Sequence, residues 1–213
     1  MKKTINIFFI FGVFLFSMIM LNTISQYASF DKNVGFLKFK QEVVNNQIWL
    51  IFFYIHIFSI PFCLLTGITQ FSDQFLTENR KLHRIIGKVY AYNILFINFP
   101  ICFLLSIFSN GGLIGITGFL VQNFLWIYFT IAAIVFIKKR NVEKHKKYMI
   151  LSYSITTTAV TFRIIKNNFY QTDMPYHLFY GIVVWISLFI NLLIAYFIIR
   201  KKQKLSFKGE SIS

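Results

Sequence analysis

Six stretches of the chain are apolar over about 20 residues, the length that crosses a hydrocarbon core of about 30 Å at about 1.5 Å per residue. They cover Ile5–Ile24, Ile48–Ile68, Ile85–Phe108, Leu113–Ile137, Tyr148–Ile165 and Tyr176–Ile199. The pattern predicts an all-α, polytopic transmembrane bundle of about six helices. Residues 1–24 form the first helix, 25–47 an extracytoplasmic loop, 48–200 a five-helix membrane core and 201–213 a basic tail. Ser109-Asn110-Gly111-Gly112 reads as a tight turn that makes the third and fourth helices antiparallel neighbours. The first run carries a second layout. Lys2-Lys3, an apolar stretch and Ser25-Gln26-Tyr27-Ala28-Ser29 are arranged as in a cleaved signal peptide, whose removal would leave five helices. The run is long for a signal and its cleavage site is poor, so retention is expected.

Composition agrees with a lipid solvent. Of 213 residues, 56% are hydrophobic and only 14% charged, against about 25% charged in a soluble domain. Mean hydropathy is +0.62. The net charge of +15 invites a nucleic-acid partner, but its distribution excludes one: the aromatics lie inside the apolar runs, not among the basic residues. Seventeen of the 22 Lys and Arg residues cluster at one set of helix ends. These are at Lys2–Lys3, Arg80–Lys88, Lys138–Lys147 and Arg200–Lys208. By the positive-inside rule both termini are expected in the cytoplasm, in a multi-pass protein of the bacterial inner membrane. The lipid bilayer is then its immediate partner; a protein partner or a second copy is not readable.

Polar residues inside the runs are the candidate chemistry. Every Asp and Glu falls in a loop or tail, so the buried carboxylate usual in proton-driven transport is missing. Arg163 at the centre of the fifth helix would cost about 2.5–3.5 kcal/mol, which predicts a position shielded from lipid. His145, Met149, Ser152, Thr156, Ala159 and Arg163 repeat every three or four residues, one helical face. Such a stripe either packs against a neighbouring helix or lines a site. His56 lies about 12 Å inside the second run, ahead of Pro61, and has to find a hydrogen-bond partner or stay neutral. His83 and His145 open the third and fifth helices at the cytoplasmic level, where they either meet anionic headgroups or face each other as axial haem ligands do. His177, at the far interface, is read as a surface residue. By helix rise Cys63 and Cys102 sit near opposite membrane faces and are not expected to pair. There is no metal-type cysteine spacing, phosphate loop, nucleophile turn or zinc motif.

Several segments resemble a known family. Tyr54-Ile55-His56, Gly67-Ile68-Thr69-Gln70-Phe71, His83-Arg84-Ile85-Ile86-Gly87-Lys88-Val89-Tyr90 and His145-Lys146-Lys147-Tyr148-Met149-Ile150 carry the likeness. So do Ser152-Tyr153, Ala159-Val160-Thr161-Phe162-Arg163 and Asn191-Leu192-Leu193-Ile194-Ala195. Together, over Ile48 to Arg200, they are similar to the bacterial membrane proteins of domain of unknown function 2306. Typical members have Trp at Tyr148, Gly-Pro at Gly67-Ile68 and no counterpart of His177. The resemblance implies no activity. It does select His56, Gln70, His83, Arg84, Tyr90, His145, Arg163 and Asn191 as shared polar positions.

The functions left standing differ in class. One is a non-catalytic assembly or sensory subunit. Another is a carrier, channel or lipid-interacting protein that binds an anion along the stripe ending in Arg163. The alternative is a b-type haem protein, for electron transfer or haem handling, that uses His83 and His145. An enzyme would need His56, His83 or His145 as its acid–base group.

Overall fold

The computed structural model describes residues 18, 21–22, 24–71, 73–170 and 174–210, which are helical for the most part and contain no strand. Of the first apolar run, only Met18, Leu21, Asn22 and Ile24 are described, in helical conformation. That run as a membrane span, and the choice between anchor and signal, lie outside the described residues.

Residues 26–46 form turns around a short 3-10 segment, Leu37–Phe39. Helix α1 covers Gln47–Thr69, α2 Asp73–Glu78 and α3 Arg80–Tyr92. A π-helical turn, Asn93–Asn98, joins α3 without a break to α4, Phe99–Ile107. Then follow α5 (Gly112–Lys138), α6 (Val142–Phe169) and α7 (Tyr176–Glu210). The chain divides between Phe108 and Ser109 into two compact units: α1 to α4 belong to unit 1 and α5 to α7 to unit 2.

Among the described residues, four helical stretches are long and apolar enough to cross a membrane: Gln47–Gly67, Arg80–Ile107, Gly112–Lys138 and Tyr176–Gln203. α6 has the length, 28 residues, but not the composition, as Arg163 and the Ser/Thr-rich middle of the fifth run predict. Its neighbours make up the difference. α6 packs against both α5 and α7, and Ser152, Thr156, Thr158 and Val160 are buried. Large apolar side chains such as Phe189 and Phe96 point outward instead, 71% and 70% exposed. A helix apolar all round, with its outer face bare, needs lipid as its solvent.

Local chemistry sets the helix ends. The Asn46 carboxamide oxygen accepts from the Ile48 and Trp49 amides at 3.0 and 3.2 Å, and Asn141 does the same for Lys144 at 3.0 Å, each satisfying donors that open a helix. In unit 1 the loop ahead of α1 is seated by aromatics. Tyr27 meets Phe53 edge-on at 5.2 Å and takes the Phe36 amide proton on its hydroxyl at 2.9 Å. In unit 2, α5 and α7 approach so closely that a Cβ added to Gly181 would stand 3.0 Å from the Gly111 carbonyl oxygen and 3.1 Å from the Gly115 nitrogen. Trp185 closes the seam by donating from Nε1 to the Ile114 carbonyl at 3.1 Å.

Candidate functional site

Unit 1 gathers its polar side chains at the π-turn. An α-helix brings i and i+4 together, whereas a π-turn brings i and i+5 together, and its two end residues are both asparagines. Asn98 Nδ2 donates to Asn93 Oδ1 at 2.6 Å. Asn98 Oδ1 faces α1, where it accepts from His56 Nδ1 at 2.9 Å and from Ser59 Oγ at 3.2 Å. Asn93 Nδ2 donates to the Ser59 carbonyl at 3.1 Å. Asn98 is fully buried and Asn93 only 8% exposed. Because a carboxamide oxygen only accepts, His56 carries its proton on Nδ1, and in the neutral ring the lone pair is on Nε2. His56 thus has the partner that its depth demanded.

The network also corrects the placement of the cysteines. Cys102 Sγ is 3.2 Å from His56 Nδ1, and Cys63 Sγ is 3.9 Å from Asn98 Nδ2. Instead of lying near opposite faces, both thiols border one histidine–asparagine pair; both are free. Helix rise counted from Cα positions misses side-chain reach and the wider winding of the π-turn.

Gln70 and Gly87, both in segments shared with the resembling family, lie against each other. A Cβ at Gly87 would meet Gln70 Oε1 at 2.8 Å. Tyr90 is fully buried in α3, His83 half-buried near its start and Arg84 exposed.

Unit 2 uses its polar residues differently. Thr130 and Ser152 share a hydrogen bond at 2.8 Å, and Trp126 Nε1 donates to Thr156 Oγ1 at 3.0 Å. On the other flank of α6, Thr157 donates to Asn191 Oδ1 at 2.8 Å, and Asn191 Nδ2 donates to Thr161 Oγ1 at 2.8 Å. The middle of the predicted stripe is therefore spent on packing α6 between α5 and α7, with helix-to-helix bonds in membranes worth about 0.6 kcal/mol on average. Its two ends retain other capacities. His145, half-buried, directs Nδ1–H to the Ala133 carbonyl at 2.9 Å, so Nε2 of the neutral ring holds the lone pair. His83 and His145 belong to separate units.

Arg163, at the other end, is half-buried and turns one guanidinium nitrogen onto the Ala159 carbonyl at 2.7 Å. Lys166, one turn on and just past the apolar run, is half-buried. Burial first, and the nearby Arg163 charge second, hold its pKa below the ordinary lysine value. Aromatic rings cluster at this end of unit 2: Phe162 meets Tyr180 at 4.9 Å, Tyr170 meets Tyr176 at 5.0 Å, and Tyr176 meets Tyr180 at 5.8 Å. His177 is exposed.

Sequence reasoning missed Asn93, Asn98 and Ser59. The signal was present: two asparagines five apart inside an apolar run are too polar to bury without partners and too widely spaced to share one α-helical face.

Residues 53–199, more than half of the chain, match the model of the family described as Predicted membrane protein (DUF2306). Neither a curated protein nor a solved structure gives a significant match.

Proposed function

The chain belongs to this family of membrane proteins, and from that premise we propose that it is a non-catalytic membrane protein that binds a small anion or an anionic headgroup at the C-terminal end of α6. The observation that carries the reading is the pair Arg163 and Lys166, two half-buried cations one turn apart beneath a cluster of tyrosines. Like charges in a partly dehydrated place repel, and an anion between them converts that cost into attraction. The tyrosines suit the boundary between hydrocarbon and headgroups. With the lysine-rich connectors on the cytoplasmic side of a bacterial inner membrane, this end faces outward.

Thermal unfolding of the detergent-purified chain tests the reading, with inorganic phosphate and phosphatidylglycerol as probes and phosphatidylcholine as control. Either anionic probe is expected to raise the midpoint, and Arg163→Gln and Lys166→Gln each to remove most of the rise. An unchanged response in both variants defeats the proposal.

A second reading, a b-type haem with His145 as an axial ligand, draws on the orientation of His145. A backbone carbonyl on Nδ1–H is the outer partner that a metal-ligating imidazole usually has. This reading requires a Soret band in the purified protein that His145→Ala abolishes; colourless protein with a negative haemochrome assay removes it.

A further inference from the structure

Beside the π-turn, unit 1 carries an open groove of about 470 Å³ lined by Phe62, Val89, Tyr92, Asn93, Phe96 and Ile97. Three aromatic rings form its rim: Phe62, Tyr92 and Phe96 are 56–70% exposed. Asn93 is its one carboxamide, and that carboxamide is not used up. It has two N–H protons; one goes to the Ser59 carbonyl, while its oxygen accepts from Asn98. One donor of a side chain more than nine-tenths buried is left over among the described residues.

Depth decides what can answer it. Asn93 lies eight residues beyond Ile85, about 12 Å into the apolar run at helix rise. Water is not available there, and an unanswered donor in hydrocarbon is costly. Phospholipid carbonyls are held at the interface by their headgroups, so an acyl chain filling the groove would leave the donor without an acceptor. A ring with its own carbonyls that dissolves in the bilayer meets both demands. Its face packs on Tyr92, Phe96 and Phe62 at the usual aromatic distances, and its oxygen reaches the amide.

We propose that this groove binds a lipid-soluble, quinone-type carbonyl compound, with Asn93 Nδ2 donating to a ring carbonyl and the three aromatics holding the ring. The assignment is independent of the anion site in unit 2.

The test uses the full chain in detergent with two probes, a decyl-substituted benzoquinone and decylbenzene, which has the same tail and ring size but no carbonyl. Bound probe is measured after rapid gel filtration. The quinone is expected to be retained at least about tenfold more tightly, the worth of one hydrogen bond in a dry site. Asn93→Ala is expected to erase that preference. Since Asn93 also braces the π-turn, Ile97→Trp is the second variant: it fills the groove from its lipid-facing edge, and is expected to abolish binding while helix content and the unfolding midpoint stay at wild-type values. Equal retention of the two probes, or quinone binding that survives Ile97→Trp, overturns the proposal.

Discussion

The two units meet one problem, polar side chains on helices without water, and solve it in contrasting ways. In unit 2 the polar residues are small or regularly spaced. Ser152, Thr130, Thr156, Thr157 and Thr161 bond across helices that remain α-helical throughout, and glycines thin the seam between α5 and α7. In unit 1 an imidazole and two carboxamides bond to one another instead. The helix takes on a π-turn to aim both asparagines at α1. Hydroxyls can also return a bond to their own helix, as Thr130 does to the Trp126 carbonyl at 2.8 Å. The carboxamide of unit 2, Asn191, uses both amide protons, on Thr161 Oγ1 and the Ser187 carbonyl, whereas Asn93 gives one to the Ser59 carbonyl, and that surplus makes unit 1 the better candidate for a neutral ligand.

If the comparison is right, the largest effect of substitution falls at the hub of unit 1. Asn98→Leu keeps the branched shape but removes the acceptor shared by His56 Nδ1 and Ser59 Oγ and the donor to Asn93 Oδ1, and is expected to cost about 2–4 kcal/mol in reversible unfolding from mixed micelles. It should also release Cys102 from His56, read as faster alkylation of that thiol in a Cys63→Ala background. Wild-type stability and an unchanged alkylation rate would show that the π-turn does not depend on its asparagines.

A smaller loss is expected in unit 2. Gly181→Leu drives a side chain into the Gly111 carbonyl and the Gly115 amide, for about 1–3 kcal/mol of overpacking, whereas Thr156→Val, which removes the acceptor for Trp126 and the bond back to the Ser152 carbonyl, should cost about 0.6–1.7 kcal/mol. Reversal of that order would mean that hydrogen bonds, not close approach, hold α6 and its neighbours.

The smallest effect sharpens the comparison most. Gly87→Ala improves helix propensity by up to about 1 kcal/mol and asks only the flexible end of Gln70 to move. Stability is expected to change by less than about 0.5 kcal/mol in either direction. A large loss in the same unfolding assay would show that Gln70 is held rigidly against α3.

Much of the molecule was legible before any coordinates. The length of the apolar runs and the position of charge between them specify helices, their approximate ends and a lipid solvent, since these depend on local composition and the thickness of a bilayer. The polarity of the fifth run likewise foretold a helix walled in by neighbours. Pairing was not legible. Whether Ser152 and Thr156 line a site or bond to Thr130 and Trp126 depends on which face of α5 turns toward α6, and no local pattern encodes that. His56 announced that it needed a partner but not that the partner was Asn98, 42 positions away. Two cysteines that a straight-helix ruler set apart both border the His56–Asn98 pair. The sequence by itself determined the solvent and the helices, through per-residue transfer energies; the tertiary structure decided which polar groups are consumed in holding those helices together and which, like the second amide proton of Asn93, are left over.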